Sequence, residues 1–189
     1  ARCILPPLAF EQASSEAVAA EKRYGGALCI DLTCGLGVDS AHFSKSFDRV
    51  IAVERDPVTA RVAAVNFSLL GISNIEVVND SAEHFIESFP GTADLVYADP
   101  ARRGEGNRKV FRFEECSPDI VSLLPAIREK TRRVVVKASP LFDIDEAFRL
   151  FGDRITVDIV SRQGECKEVL IDVPSAPDAP AGSVRAVAA

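Results

Sequence analysis

Several features are missing from this sequence, and each absence argues against a class of protein. No uninterrupted apolar run approaches the ~20 residues of a transmembrane helix, and the N-terminus has no signal-peptide pattern, so we expect a cytoplasmic protein without membrane contact. Two histidines and five cysteines, with no Cys-x-x-Cys pair, provide no typical set of zinc ligands. We therefore expect reduced cysteines and no metal site. Met is absent even at position 1, which indicates a processed or excised piece of a longer protein.

What is present suffices for one folded domain. The chain has 189 residues, of which 47% are hydrophobic, enough for a full core and too many for an intrinsically disordered chain. Its 22 basic and 28 acidic residues give a net charge of −6, which argues against a protein that simply coats nucleic acid. Residues 102–137, however, carry ten basic and five acidic residues. The negative net charge therefore does not exclude an RNA substrate. We expect this domain alone to bind RNA weakly and in a salt-sensitive way.

Short apolar runs alternate with helical patterns along most of the chain. The runs, too apolar to alternate cleanly, are typical of strands covered on both faces; they lie at 27–32, 49–54, 75–78, 93–98 and 133–137. The helical patterns cover 10–23, 38–47, 57–71, 81–88, 118–129 and 143–151. This alternation predicts an α/β fold with a parallel sheet. Residues 154–160 and 166–173 follow one another without a helix, which predicts a hairpin and a late antiparallel strand.

A glycine loop follows the first predicted strand. Asp31 ends that strand, and Gly35 and Gly37 form a Gly-x-Gly turn ahead of a helix. In parallel sheets ligands bind beyond the carboxyl ends of the strands, and glycines let the backbone approach them closely. Ser40 stands where a dinucleotide fingerprint has its third glycine, and Asp31 would repel a pyrophosphate. A dinucleotide-dependent oxidoreductase is therefore the least favoured alternative.

Acidic residues end three successive strands. Asp31 suits a cationic ligand, Glu54 can accept hydrogen bonds from both hydroxyls of a ribose, and Asp80 can accept one from an adenine amino group. The structural alternative is that each acid only caps the helix that follows it. Taken together in this order, the three acids describe S-adenosylmethionine, which has a cation, a ribose and an exocyclic amine.

With this loop, these acids and the late hairpin, the sequence resembles the class I S-adenosylmethionine-dependent methyltransferases over nearly all of 28–173. The resemblance implies a Rossmann-like fold, with a mostly parallel seven-stranded sheet, an antiparallel last strand and helices on both faces. It also implies S-adenosyl-L-methionine as cofactor. The cofactor site then comprises Asp31, Thr33, Cys34, Gly35, Gly37, Glu54, Arg55, Asp80, Ser81 and Asp99.

The motif after the fourth predicted strand is similar to that of family members that methylate exocyclic amines, in which Asp, Asn or Ser precedes Pro-Pro and an aromatic residue. Asp99 and Pro100 match it and would hold the acceptor amine. Ala101 replaces the second proline and Arg102 the aromatic residue, although an Arg plane can also stack on a base or hold a phosphate. These departures keep open a domain that binds the cofactor without catalysis.

More specifically, the runs at 12–16, 99–103, 108–111 and 165–168 resemble a little-characterised bacterial group, itself similar to the RNA cap guanine-N2 (trimethylguanosine synthase-type) methyltransferases and often followed by a THUMP-like RNA-binding domain. The resemblance implies an RNA substrate and a helical lid at 1–24, in which Gln12, Ser14 and Ser15 fold over the cofactor. The methyltransferase domain is then 25–173. Residues 174–189 form a linker or an edge segment toward a missing C-terminal domain.

A second acceptor remains open. Lys22, Asp99, Lys137 and Glu168 resemble, in their order, the Lys–Asp–Lys–Glu tetrad of ribosomal RNA 2′-O-methyltransferases. A ribose hydroxyl needs a lysine with a lowered pKa to activate it, whereas an amine needs chiefly positioning. Lys137 is thus a further candidate catalytic residue. The structural alternative is that it is a strand-end lysine and Glu168 an exposed residue of an alternating strand.

Overall fold

The computed structural model describes residues 3–4, 15–102, 113, 116–176 and 179–189. The strands are β1 (Gly26–Asp31), β2 (Phe47–Val53), β3 (Ile75–Val78), β4 (Leu95–Ala98), β5 (Ala101–Arg102), β6 (Cys116–Ser117), β7 (Arg133–Ala138), β8 (Thr156–Arg162), β9 (Glu165–Pro174) and β10 (Ser183–Ala188). The helices are α1 (Glu16–Ala19), α2 (Val38–Phe43), α3 (Pro57–Leu69), α4 (Ala82–Ser88), α5 (Ile120–Lys130) and α6 (Ile144–Phe151).

Eight strands form one sheet in the order β10-β8-β9-β7-β4-β1-β2-β3, while β5 and β6 pair separately. Within the large sheet only β9 runs antiparallel to its neighbours, which confirms the predicted α/β fold with one reversed strand. The large sheet has eight described strands, one more than the predicted seven. The additional strand is β10, which pairs parallel to β8 at the edge of the sheet.

Local sequence explains where the helices begin. Asp56 caps α3 by accepting a hydrogen bond from the Thr59 N–H at 2.7 Å, and Pro57 occupies the first turn, where its missing N–H costs nothing. Ser81 caps α4 in the same way. Helix α2 ends at Phe43, four residues before the predicted end, because the next strand already begins at the buried Phe47.

The late hairpin is closed by a turn that its sequence favours. Gln163 (φ 55°) and Gly164 (φ 81°) both adopt the left-handed conformation that matches the twist of the flanking strands. The turn sends β9 back between β7 and β8. Four consecutive residues in the middle of β9, 168–171, are buried, so both faces of this strand are covered. At the outer edge, Arg185 of β10 donates two hydrogen bonds of 2.6 Å to Asp158 of β8.

The chain reverses its direction of growth between β1 and β4. From β1 it adds β2 and β3 on one side, then returns to place β4 on the other side. Such a switch point leaves a crevice at the carboxyl ends of the strands, where ligands bind in open α/β sheets. The glycine loop that follows β1 lies at this crevice.

Gly37 is required by two independent constraints. Its φ of 82° lies in the left-handed region, which disfavours side chains. In addition, a Cβ atom at this position would lie 2.2 Å from Cζ of Phe67, a ring that is itself buried between α3 and the sheet. The packing of α3 therefore fixes where the glycine loop runs.

We predict that Gly37→Ala destabilises the protein by roughly 2–4 kcal/mol, because it adds overpacking to backbone strain. Gly164→Ala is the matched control, since its φ is also left-handed (81°) but no atom lies within 4 Å of the added Cβ. The control should cost only about 1 kcal/mol. Urea unfolding of both variants measures the difference, and equal losses would contradict the packing argument.

Candidate functional site

Five polar side chains lie at the carboxyl ends of five parallel strands, as the sequence predicts. They are Asp31 at the end of β1, Glu54 after β2, Asp80 after β3, Asp99 after β4 and Lys137 near the end of β7. The strands are neighbours in the sheet, in the order β7-β4-β1-β2-β3. The residues predicted for the cofactor and those predicted for the acceptor therefore share one edge of the sheet.

Asp31 holds the glycine loop in place. It is 1% exposed, and its carboxylate accepts hydrogen bonds from Ser40 Oγ (2.5 Å) and from the Thr33 N–H (3.0 Å). Burial raises the pKa of Asp31 to about 7; the two hydrogen bonds oppose this shift, and the nearby Asp39 and Asp99 add to it. A direct contact of Asp31 with a cationic cofactor stays a prediction.

Glu54 and Thr33 tie the loop to its neighbours. The Glu54 carboxylate accepts hydrogen bonds from the N–H groups of Gly35 and Asp56, both at 2.9 Å. Thr33 Oγ1 accepts one from the Asp99 N–H at 2.6 Å, which joins the loop to the end of β4. Cys34 is buried and fills space beside α3, as its position in the loop suggests.

The surface beyond β3 carries Asp80, Ser81 and Arg55. Asp80 Oδ2 lies 2.6 Å from Nδ1 of the exposed His84, one helical turn further on. This contact lowers the pKa of Asp80 and raises that of His84. Arg55 donates a hydrogen bond of 2.8 Å to Ser117 Oγ and so connects the end of β2 with β6. Their roles toward a cofactor stay predictions.

Asp99 and Lys137 form an ion pair on the acceptor side. Lys137 Nζ lies 2.6 Å from Asp99 Oδ2, and Pro100 behind it is buried. The Asp99 side chain is 37% exposed and that of Lys137 only 13%. Burial raises the pKa of Asp99 despite the lysine. Burial alone would lower the pKa of Lys137, but the carboxylates of Asp99, Asp39 and Glu168 outweigh it and raise this pKa.

A buried ionic network continues from this pair into the core. Lys22 is fully buried, with its Nζ 2.6 Å from Glu168 Oε1 and 3.0 Å from Asp39 Oδ1. Lys137 Nζ lies 3.8 Å from Glu168 Oε2. The structure thus brings together all four residues of the Lys–Asp–Lys–Glu set.

The expectation that Glu168 is exposed is wrong. It is 2% exposed, because β9 lies between β7 and β8 rather than at an edge. Asp39, whose Oδ2 accepts a hydrogen bond from the Tyr97 hydroxyl at 2.7 Å, was missed by the sequence analysis. Its only signal was a carboxylate in the first turn of α2, which is equally typical of a solvated helix start.

Part of the predicted site falls outside the described residues. Gln12 and Ser14 of the predicted lid lie there, as do residues 103 and 108–111 of the resembling runs. Ser15 caps the short helix α1, which ends at Ala19, four residues before the end of the predicted helix over 10–23. Arg102 lies in β5, where its backbone pairs with Cys116, and its role toward an acceptor stays a prediction.

The described residues bear on two predictions, the absence of a metal site and the absence of a membrane span. They contain no cluster of three or more His, Cys, Asp or Glu residues that could hold a metal ion. None of the described helices has the length and apolar character required to span a membrane.

Comparisons with known proteins agree with the architecture. No protein-family model matches the chain. It is 31% identical over 166 residues to an uncharacterised S-adenosylmethionine-dependent methyltransferase of Mycobacterium tuberculosis, a match that covers 86% of this chain and 44% of that protein. It is 28% identical over 144 residues to an uncharacterised RNA methyltransferase of Thermotoga maritima, covering 70% of this chain and 33% of that protein.

Among solved structures, a candidate methyltransferase from Porphyromonas gingivalis superposes with a TM-score of 0.79 at 25% identity, covering 93% of this chain and 43% of the other. By its fold and by these relatives, the chain belongs to the class I S-adenosylmethionine-dependent methyltransferases, which have a Rossmann-like fold. The chain spans less than half the length of each of these three proteins.

The raised pKa of Asp31 predicts how the stability of the protein without cofactor depends on pH. Unfolded Asp31 ionises near its ordinary pKa of 3.8, but folded Asp31 holds its proton up to about pH 7. Its contribution to stability therefore falls as pH rises between these values, so Asp31→Asn should be more stable than wild type by roughly 2–4 kcal/mol at pH 8, and by little at pH 4.

Asp94→Asn is a control that should change the free energy of unfolding in the opposite direction. Asp94 accepts hydrogen bonds from the N–H groups of Ala27 and Leu28, which lower its pKa. The control variant should therefore be less stable than wild type at neutral pH, and the difference should shrink in acid. Urea unfolding across this range tests both, and a pH-independent difference for Asp31→Asn would contradict the assignment.

Proposed function

We propose that this domain transfers the methyl group of S-adenosylmethionine to an exocyclic amine of a base in RNA. The observation that carries the proposal is the position of Asp99. It follows β4 at the switch point, its N–H is bonded to the glycine loop through Thr33, and its side chain keeps 37% of its surface exposed. A carboxylate held this rigidly beside the cofactor loop is suited to orient an acceptor.

The residues at the carboxyl ends of the strands fit the cofactor. The space beside Gly35 is open, since a Cβ there would meet only Thr33 O, at 4.0 Å. Glu54 keeps lone pairs for ribose hydroxyls, and Asp80 lies at the end of the next strand for the adenine amine. Asp31 and Asp99 provide negative charge where the sulfonium and the amino group of the cofactor would lie. Bound there, the cofactor supplies the electrophilic methyl group.

An amine acceptor needs orientation rather than deprotonation, because it already has a lone pair. Asp99 would accept a hydrogen bond from one amine hydrogen and so direct the lone pair toward the methyl group, while buried Pro100 keeps the backbone from turning away. The amine proton released on methylation would pass to the Asp99 carboxylate or to solvent. Lys137 would fix the Asp99 carboxylate. The surrounding carboxylates raise the pKa of Lys137, so it stays protonated at neutral pH and does not act as a general base.

RNA as the acceptor is supported by the Thermotoga maritima relative, which is named an RNA methyltransferase, and by the local excess of basic residues over 102–137. Guanine N2 as the atom, and a downstream RNA-binding domain in the longer protein, are proposed on the family resemblance alone. Arg102 would stack on the base or bind a phosphate beside it.

Ribose 2′-O-methylation is the second candidate, favoured by the clustering of Lys22, Asp99, Lys137 and Glu168. It requires Lys137 to lose its proton before transfer, against the three carboxylates that raise its pKa. The raised pKa therefore favours the amine. A third possibility, a domain that binds the cofactor without transfer, would give binding of S-adenosylhomocysteine and no methylated product.

The direct test uses RNA from a strain that lacks the gene. The purified protein and labelled S-adenosylmethionine are added, and the nucleosides are separated after digestion and analysed by mass spectrometry. Label on a base amine supports the proposal, and label on ribose, recognised also by dinucleotides resistant to alkali, establishes the second candidate. No label together with tight S-adenosylhomocysteine binding establishes the third.

We predict that Asp99→Ala lowers methyl transfer at least about 100-fold, because the acceptor loses its orientation. Asp99→Asn should retain more of the activity, since an amide oxygen still accepts a hydrogen bond from the amine. Calorimetry with S-adenosylhomocysteine is the control and should show nearly unchanged affinity for both variants. A loss of affinity as large as the loss of activity would make Asp99 a cofactor ligand instead of an acceptor ligand.

A further inference from the structure

Two carboxylates, one buried and one partly exposed, lie close to the same ammonium group. Lys137 Nζ is 2.6 Å from Asp99 and 3.8 Å from Glu168, so both carboxylates are close enough to pair with it. Glu168 is the more deeply buried of the two, since its side chain is 2% exposed against 37% for Asp99. A buried carboxylate gains more from a cation than a partly solvated one, because water does not screen the pair.

Glu168 has a closer partner than Lys137, namely Lys22. Lys22 is fully buried and donates a hydrogen bond of 2.6 Å to Glu168. A fully buried ammonium is costly unless carboxylates compensate it, and here Glu168 and Asp39 do so. Lys22 lies three residues after the end of α1, so it joins the segment ahead of β1 to the acceptor side of the site.

We propose that Lys22 is a positioning residue for methyl transfer: by occupying Glu168 it reserves Lys137 for Asp99. The proposal rests on the function proposed above, in which Asp99 orients the acceptor. Lys22 itself touches no ligand in this scheme. Its effect passes through Glu168 and Lys137 to the Asp99 carboxylate.

The charged and titratable groups linked to Lys137 lie on several elements. Asp99, Asp39 of α2 and Glu168 of β9 act on Lys137 itself. Lys22 acts on Asp99 and Glu168, and Asp31 of β1 and Tyr97 of β4 interact with the same carboxylates. Lys22 and Lys137 both lower the pKa of Asp99. Removing Lys22 takes away one of these positive charges and lets Lys137 move from Asp99 toward Glu168. Both changes should raise the pKa of Asp99.

The test is a double-mutant cycle on Lys22 and Glu168. Lys22→Met leaves Glu168 uncompensated, so Lys137 should turn to it, and kcat should fall roughly 10- to 100-fold. Glu168→Gln in the same chain removes the competing charge and should restore most of kcat. Glu168→Gln alone should lower kcat much less than Lys22→Met does, because the competing charge is gone and Asp39 still pairs with Lys22. Rescue by a second mutation is an outcome that a merely structural role of Lys22 would not give.

A second measurement does not depend on which acceptor is used. The carboxyl carbon of Asp99, observed by ¹³C NMR and assigned with Asp99→Asn, reports the pKa of Asp99. That pKa should rise by about one unit in Lys22→Met and return in the double variant. If wild type methylates no RNA, the proposed function fails, while this titration still tests the positioning role. Lys167→Met, which removes an exposed lysine of β9 paired with Glu165, is the control and should change neither kcat nor the pKa.

Three results would overturn the proposal. One is unchanged kcat and unchanged pKa of Asp99 in folded Lys22→Met. Another is a folded double variant that is no more active than Lys22→Met. The third result applies if Lys22→Met does not fold. Glu168→Gln and the double variant then test the proposal, because removing both members of a buried pair costs less stability than removing one. Loss of methyl transfer in either of these folded variants would overturn it.

Discussion

The structure depends most on how one buried ammonium group is neutralised. Lys22 has no exposed surface, and a charge in that position is tolerated only with carboxylates in direct contact. Glu168 and Asp39 meet this requirement from two elements far apart in sequence, the central strand β9 and the helix that follows the glycine loop. The same contacts fix the segment ahead of β1 against the sheet. Through Glu168 the same network reaches Lys137 and Asp99 beside the switch point.

The site concentrates negative charge where a cationic ligand is expected. Asp31, Asp39, Asp99 and Glu168 lie close enough to influence one another, and two lysines balance them only in part. Burial is the largest cause of the raised pKa values of Asp31, Asp99 and Glu168, and a further cause is this excess of negative charge. A sulfonium cofactor would relieve it, so the cost of assembling these acids in the protein without cofactor becomes a gain when the cofactor binds.

The sequence predicted this site unevenly. The positions of Asp31, Glu54, Asp80 and Asp99 at successive strand ends were predictable, because strand and loop patterns are local and the carboxyl ends of parallel strands share one edge. What these side chains do was not. Glu54 accepts hydrogen bonds from backbone N–H groups, and Asp80 contacts His84, since a carboxylate at a helix start finds nearby donors whether or not a ligand is present.

By itself, the sequence determined the α/β alternation, the glycine loop and the late hairpin, because each depends on periodicity or turn chemistry within a few residues. Only the tertiary structure decided that β9 is central, that Glu168 is therefore buried, and that Lys22 reaches it across 146 positions of sequence. It also decided that β10 joins the sheet. Contacts at such separations depend on the order of the strands, and that order follows from the packing of the whole domain rather than from any local pattern.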